Sequence, residues 1–269
     1  ALTAGTATLV AEHNVAGAIT DDTAAGLFVV SHHVVDYGQV PLERFAEICH
    51  ARDVPVIVDA ASEYDLHGFL RAGADVVIYS AHKFLGGPTA GIVAGRRDLI
   101  HAAYMQNAGI GRGMKVGKES IAGTMAALKA WGTRDAAGIR AREAAALALW
   151  RDTAKDFAGI DATIIPDPTD NPLDRLKIVV DPTRAGASAL DIAIDLATGD
   201  PAVIVRDHEA DHGLFQLDPC NLHEGQAALV AARLRDTLTR AKAGKLKPVN
   251  ADTWRRRGAA AFASWDAED

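Results

Sequence analysis

The sequence predicts an α/β protein: a mostly parallel sheet flanked by helices, followed by a smaller α+β domain. Two observations predict this fold class. Apolar runs of strand length alternate with segments of helical periodicity, and the runs are continuously apolar, which is typical of parallel strands that helices cover on both faces. With 269 residues, 49% of them hydrophobic and 23% charged, the chain also has the length and composition that a packed core requires.

The strands of the first domain are short apolar runs bounded by polar residues or glycine. We predict them at 24–31, 54–61, 75–81 and 90–96. A helix is expected at 41–52, because Pro41 suits a first helical turn and the apolar residues that follow share one face. A shorter helix is expected at 67–74. The strand at 90–96 follows its predecessor too closely for a helical crossover, so we expect it to run antiparallel.

Helices complete the first domain, which we place at 1–158; they are expected at 97–107, 117–132 and 135–157. Proline, aspartate and asparagine are concentrated in 159–174, which we interpret as a loop that enters the second domain, 159–269. The strands expected in this domain are 175–181, 201–206 and 213–217. The helices expected to pack on them are 188–197 and 223–242.

Charge, hydrophobicity and cysteine content indicate which partners and which cellular compartment the sequence suits. The net charge of −7 disfavours broad binding of nucleic acid through its phosphates. No apolar run approaches the roughly 18 residues of a membrane-spanning helix, so we predict no membrane segment. Cys49 and Cys220 are far apart and have no metal-like spacing, which favours a reducing cytoplasm. Cys49 is expected in the core, on the apolar face of its helix.

Chemically useful side chains follow the predicted strands. They are His32 and His33 after the first strand, Asp59 at the end of the second, and Ser80, His82 and Lys83 after the third. Ligands of an open parallel sheet bind beyond the carboxyl ends of its strands. A lysine and a carboxylate placed there suit pyridoxal phosphate: Lys83 would form a Schiff base with the aldehyde, and Asp59 would keep the pyridine nitrogen protonated. Ser80 and His82 are placed to donate hydrogen bonds to the phosphate.

Other interpretations of these residues stay open. Lys83 is also compatible with a solvated surface lysine. Ser80 and Lys83 have the Ser-x-x-Lys spacing of serine β-lactamases, although this motif follows a buried strand instead of opening a helix, and no Lys-Thr-Gly sequence accompanies it. The histidines, including His208 and His212, are compatible with a metal site, but isolated histidines in loops are typical hydrogen-bonding residues, and we predict no metal.

Three stretches of the sequence resemble a known family. "VIVDAASEYDL" (56–66) and "ADVVIYSAHKFLGGPTAGIVAGR" (74–96) are similar to the large domain of fold type I pyridoxal-phosphate enzymes, the aspartate aminotransferase superfamily. "GIGRGMKVGKESIAGTMAALKAW" (109–131) resembles the branch that contains bacterial selenocysteine synthase and D-glucosaminate-6-phosphate ammonia-lyase. The resemblance extends over most of the chain.

The resemblance implies roles for individual residues. For the cofactor, they are Lys83 as the Schiff-base residue, Asp59 as the partner of the pyridine nitrogen, Ser80 and His82 at the phosphate, and Ser62 and His33 near the ring. For the substrate, Arg206 ends a predicted strand where this superfamily often places an arginine that binds a carboxylate, and a structural salt bridge is the alternative. Arg112 forms a basic cluster with Lys115 and Lys118, compatible with an anionic substrate or with a solvated face.

The expected function is that of a pyridoxal-phosphate-dependent lyase. Its substrate would be an amino-acid-like small molecule, either a hydroxylated amino acid or an amino-sugar acid, from which it removes water or ammonia by α,β-elimination. An aminotransferase and a selenium transferase are related alternatives, and a non-catalytic truncated paralogue is a further one. Family members carry an additional segment upstream of the point where this sequence begins. We therefore expect the chain to be a fragment whose large domain lacks its N-terminal part.

The expected assembly is a homodimer or a higher even oligomer, because the resemblance implies sites that a neighbouring subunit completes. The helical stretches after residue 97 contain many apolar residues. The candidates for the interface, unless they are core residues, are Ile100, Tyr104, Met105, Ile121, Met125 and Leu128.

Overall fold

The described part of the chain contains two sheets, each in its own unit. The computed structural model describes residues 8, 10, 14–31, 40–220, 222–252, 254 and 256. The first unit comprises residues 1–135 together with 168–171, and the second comprises residues 136–167 together with 172–269.

The first sheet is mixed and mostly parallel. Its strands, in spatial order, are β1 (Gly26–Val29), β2 (Val56–Asp59), β3 (Val76–Ser80) and β4 (Gly91–Gly95). β2 runs parallel to β1 and to β3, and β4 returns antiparallel to β3, as the short connection predicts. Asp59 lies opposite Val29 on one side and Ile78 on the other. The carboxyl ends of the three parallel strands therefore lie at one edge of the sheet.

The helices of the first unit are α1 (Val15–Ala18), α2 (Leu42–His50), α3 (Gly68–Arg71), α4 (Arg97–Met105) and α5 (Lys118–Thr133). α2 follows Pro41, and its apolar face packs against β1 and β2, with Cys49 buried in the core as expected. Two 3₁₀ turns, Gln106–Ala108 and Ile110–Met114, connect α4 to α5.

The second sheet is antiparallel and consists of β5 (Ile160–Pro166), β6 (Asp174–Val180) and β7 (Leu214–Leu217). The helices of this unit are α6 (Ala136–Ala154), α7 (Pro182–Ala185), α8 (Ala189–Thr198) and α9 (Gln226–Lys242). Trp150 of α6 lies in the core with Phe215 and Leu234, and its indole N–H donates to the carbonyl oxygen of Ala227 at 2.9 Å. Among the described residues, no helix has the length and apolar composition needed to cross a membrane.

Two of the predicted elements in the second unit are wrong. Residues 160–166, expected within a loop, form strand β5, because each of them, including Asp161 and Pro166, pairs with a residue of β6. Residues 201–206, expected as a strand, pair with β7 only through an isolated bridge between Arg206 and Gln216. The amide of Val203 donates instead to the carbonyl oxygen of Leu196 at 2.8 Å.

The boundary between the two compact units differs from the domain boundary expected at residue 158. It follows Asp135, so α6 belongs to the second unit. The physical reason is the burial of Leu147, Trp150 and Ala154 of α6 against the second sheet and α9.

A carboxylate stabilises the amino-terminal end of the first sheet. Asp75 Oδ2 accepts from the amide of Val56 at 2.8 Å and lies 2.8 Å from Nε2 of His50, and Asp75 Oδ1 accepts from Arg96 at 3.2 Å. Burial raises the pKa of the Asp75 carboxyl, but the hydrogen bonds from these three residues outweigh burial and hold the pKa below its ordinary value.

We expect Asp75→Asn to lower the free energy of unfolding by about 1.5–3 kcal/mol at neutral pH, the range for hydrogen bonds to a charged group. Because the folded pKa is depressed, this contribution is present above the unfolded pKa and is lost as the pH falls through the folded pKa. Urea titrations should therefore show a difference from wild type that shrinks in acid, whereas the exposed Asp22→Asn control changes little. A difference independent of pH would contradict the assignment.

Candidate active site

The candidate site lies at the carboxyl ends of β2 and β3. Asp59 is the last residue of β2, and Ser80 is the last residue of β3. Ser80 follows Ile78, the residue of β3 that lies opposite Asp59. Asp59 Oδ1 accepts from the amide of Ala61 at 3.1 Å, and the amide of Ser80 donates to the carbonyl oxygen of Ala61 at 3.2 Å. These bonds attach the turn that follows Asp59 to the end of the neighbouring strand.

Lys83 lies on a tight turn between β3 and β4. The turn is closed by hydrogen bonds from the amide of Ala81 to Ala90 O at 2.9 Å and from the amide of Gly87 to Ala81 O at 2.7 Å. Gly86 adopts a φ of 68°, in the left-handed region that favours glycine. His82 and Lys83 are exposed, whereas Ser80 is half-buried. The turn therefore presents the lysine amine at the same sheet edge as Asp59.

Helix α5 packs directly on this turn. A Cβ on Gly87 would lie 3.0 Å from the carbonyl oxygen of Ala81 and 3.1 Å from the Cβ of Ala127. A Cβ on Gly123 would lie 2.9 Å from Cγ of Pro88. The glycines on both sides allow the helix and the turn to approach closely, so α5 contributes to the shape of the lysine turn.

An aromatic cluster, formed by Tyr64, Phe84 and Trp131, flanks the site, and our sequence-based prediction missed it. The centroids of Tyr64 and Phe84 are 4.2 Å apart with an interplanar angle of 63°, and those of Tyr64 and Trp131 are 5.1 Å apart at 76°. The available signal was an aromatic residue directly after Lys83. Its two partners are distant in sequence, so the contact itself could not be derived.

The remaining predicted residues lie in different places. Ser62 is half-buried on the turn after Asp59, and Arg112 is exposed on the 3₁₀ turn that precedes α5. His33 lies outside the described residues. Arg206 belongs to the second unit, where its Nε and Nη2 atoms donate to Oδ2 of Asp218 at 3.1 and 2.9 Å. The structure thus shows the salt bridge that was the alternative for Arg206, and its contact with a substrate stays a prediction.

Arg206 belongs to a buried group of charges in the second unit. Arg175, of which 3% of the side chain is exposed, forms ion pairs with Asp167 and with Asp218. Burial raises the pKa of Asp218, but hydrogen bonds from Cys220 and the charge of Arg206 outweigh burial and lower that pKa below its ordinary value. Burial and then the negative charge of Asp218 raise the pKa of the Cys220 thiol to about 12. Cys220 therefore stays protonated at neutral pH.

The residues at the sheet edge fit pyridoxal phosphate. An exposed primary amine can bind an aldehyde, a carboxylate at the neighbouring strand end can pair with a protonated pyridine nitrogen, and hydroxyl groups nearby can donate to a phosphate. Lys83, Asp59 and Ser80 supply these groups on one edge of the described sheet. A mostly parallel sheet with these groups at one edge is typical of the cofactor-binding domain of fold type I pyridoxal-phosphate enzymes.

A comparison with protein families gives the particular family. The model described as "SelA: L-seryl-tRNA selenium transferase" matches residues 3–156, more than half of the chain, and the chain belongs to this pyridoxal-phosphate-dependent family.

Curated relatives and a solved structure support the membership. The chain is 36% identical to a D-glucosaminate-6-phosphate ammonia lyase from Salmonella typhimurium, over 86% of this chain and 62% of the relative. It is 37% identical to a 5′-C-glycyluridine monooxygenase-decarboxylase from Streptomyces sp., over 84% of this chain and 57% of the relative. A solved D-glucosaminate-6-phosphate ammonia-lyase matches with a TM-score of 0.68 and 34% identity, over 89% of this chain and 64% of that structure. The chain thus spans about three fifths of the length of these relatives.

Replacing the lysine provides a direct test of the site. We expect Lys83→Ala to abolish the trapping of pyridoxal phosphate by borohydride, because the variant lacks the amine that forms the reducible bond. The fold should persist, since Lys83 is exposed and its removal opens no core cavity. Mass spectrometry of the reduced protein measures the adduct, and Lys129→Ala, which removes an exposed lysine of α5, is the matched control. An alanine variant that gives the wild-type yield would refute the assignment of Lys83.

Proposed function

We propose that this chain belongs to a pyridoxal-phosphate-dependent lyase of the ammonia-lyase type. The substrate would be a hydroxylated amino acid or an amino-sugar acid. The observation that supports this proposal is a carboxylate and an amine, Asp59 and Lys83, at one sheet edge of a chain 36% identical to a D-glucosaminate-6-phosphate ammonia lyase. The name of that relative makes a phosphorylated amino-sugar acid the first substrate to test.

The residues of the site divide the chemistry among them. When bound, pyridoxal phosphate supplies an aldehyde for amines and a ring that accepts electrons from a substrate carbanion. Lys83 would hold the cofactor through its aldehyde, and the Lys83 amine, once free, would be the base that accepts the α-proton of the substrate. Asp59 holds a proton at the pyridine nitrogen, and Ser80 and His82 donate hydrogen bonds to the phosphate. The β-hydroxyl would leave as water with a proton from an acid of the site, and the enamine product would be hydrolysed by water to a keto acid and ammonia.

Substrate recognition is assigned to basic residues outside the cofactor site. Arg112 lies with Lys115 and Lys118 on an exposed segment that leads into α5, and α5 packs on the lysine turn. This segment can therefore attract an anionic group of the substrate. Arg206 is the proposed candidate for the substrate carboxylate, and binding of a carboxylate through two parallel hydrogen bonds would require its guanidinium to exchange or share its contact with Asp218.

Selenium transfer is the second candidate function, and the description of the matching family model favours it. The net charge of −7 argues against it, because binding of a tRNA is promoted by positive charge that neutralises phosphates. An assay that measures ammonia and keto acid from amino-sugar acids, beside selenium incorporation into seryl-tRNA, separates the two. A chain that bound no cofactor would instead support the non-catalytic alternative.

Asp59→Asn should leave the cofactor bound but weaken catalysis, because an amide cannot keep the pyridine nitrogen protonated. We expect at least about a hundred-fold loss of kcat, equal to roughly 2.7 kcal/mol in the barrier. The assay is steady-state ammonia release with the best amino-acid substrate. Asp53→Asn is the matched control, because Asp53 is exposed and its positive φ of 56° is one that asparagine tolerates. Unchanged kinetics in Asp59→Asn would remove this residue from the mechanism.

We further propose that the protein assembles as a homodimer or a multiple of one through the surface of α4, α5 and the turns between them. Four of the expected interface residues are exposed here: Tyr104, Met105, Ile121 and Met125. Ile110 and Met114 extend this surface, with 65% and 84% exposure. Together these residues form a run of exposed apolar side chains, which is typical of interaction surfaces, and methionines adapt readily to a partner.

Met125→Asp should shift the mass measured by light scattering at micromolar concentration from dimer toward monomer, because a carboxylate at an apolar interface loses its hydration. Leu229→Asp, at an exposed apolar position of α9, is the control and should leave the mass unchanged. A wild-type protein that is active as a monomer would contradict the assembly.

A further inference from the structure

The aromatic cluster connects the two loops that carry the proposed chemistry. Tyr64 lies on the turn that follows Asp59, Phe84 directly follows Lys83, and Trp131 lies near the end of α5. The Tyr64 ring meets the other two edge-to-face, a geometry in which the positive edge of one ring faces the negative face of another. A shift of either loop would break a ring contact.

Residues outside the aromatic cluster also contact two of its members. The guanidinium of Arg134 lies 3.5 Å over the Trp131 ring, and its Nη1 donates to the carbonyl oxygen of Trp131 at 2.6 Å. The amide of Tyr64 donates to Oδ1 of Asn171 at 2.9 Å, within the same unit. Trp131 at one end of the cluster and Tyr64 at its centre are therefore both attached to structure that does not belong to the lysine turn.

This attachment matters for Lys83 because its own side chain is exposed and its stem is flexible. The reach of Nζ is then set by the position of the lysine backbone. That backbone has two nearby restraints: the hydrogen bond from the amide of Gly86 to Lys83 O at 3.0 Å, and the half-buried ring of the next residue, Phe84. Of these two restraints, the Phe84 ring is the one that contacts the turn after Asp59, through Tyr64.

We propose that Phe84 is a positioning residue for Lys83, and that it acts through the aromatic cluster by fixing the lysine turn against the turn that follows Asp59. This inference rests on the proposed role of Lys83 as the residue that binds pyridoxal phosphate. It adds a residue whose proposed part is to set the position of the Lys83 amine through its contact with Tyr64.

The test is the rate at which the chain traps pyridoxal phosphate at Lys83, measured by borohydride quenching and peptide mass spectrometry over a range of pH. Phe84→Leu keeps an apolar side chain but removes the ring, and Phe84→Tyr keeps the ring. Phe45→Leu is the matched control, since Phe45 forms a tilted pair with Phe28 at 5.4 Å in the same unit. Tyr64→Leu removes the central ring from the opposite loop and provides an independent second variant.

We expect Phe84→Leu and Tyr64→Leu to slow trapping at Lys83 by about tenfold or more, since displacement of a reacting group by about an ångström can slow a reaction by up to about a hundred-fold. Phe84→Tyr, which keeps the ring, should restore the rate. Phe45→Leu should trap at the wild-type rate.

Trapping by Phe84→Leu at the wild-type rate, or an equal loss in Phe84→Leu and Phe45→Leu, would overturn the inference while leaving the proposed function in place. A wild-type chain that formed its adduct at another lysine would overturn the proposed function, and the role of Phe84 with it.

Discussion

The register between β2 and β3 is the constraint on which the candidate site depends. Val56 and Val58 point into the core and are fully buried, whereas Ile57 and Asp59 point to the other face and are half-buried. A slip of one residue would exchange the two faces and place the Asp59 carboxylate in the core, at the large free-energy cost of burying an unpaired charge. The two valines therefore fix the position of the aspartate, and the aspartate in turn opposes the wrong register.

Much of the first unit could be predicted from the sequence because its signals are local. Continuous apolar runs mark the buried strands, and the short connection before β4 leaves no room for a crossover, so its antiparallel direction follows. Asp59, Ser80 and Lys83 could be assigned to one edge for the same reason, since polar residues directly follow strands that run in parallel. The direction of the strands was therefore sufficient to predict that these three residues share one edge of the sheet.

The parts that could not be predicted depend on contacts between distant residues. β5 was not predicted, because proline and aspartate in and after it are typical of loops. It is a strand because β6 pairs with it along its whole length. The aromatic cluster requires α5 to dock on the lysine turn, which the glycines at 87 and 123 permit but which no local pattern announces. Likewise, the ion pair of Arg206 with Asp218 depends on residues that are distant in sequence. Asp218 also pairs with Arg175, and because Arg175 is buried, its charge needs both Asp218 and Asp167.

The hairpin formed by β3 and β4 has a consequence for the order in which the site assembles. Ser80 pairs with Gly91 across a short loop, whereas Ile57 and Val76 are joined by a longer connection that contains α3 and its flanking turns. Closing a short loop costs less chain entropy than closing a long one, so the hairpin is the kinetically accessible element of this sheet. The lysine turn is contained within the hairpin, and the aspartate is not. The backbone hydrogen bonds of the lysine turn can thus form as a local unit, whereas Asp59 is placed by the parallel pairing and the packing of α5 completes the shape of the turn.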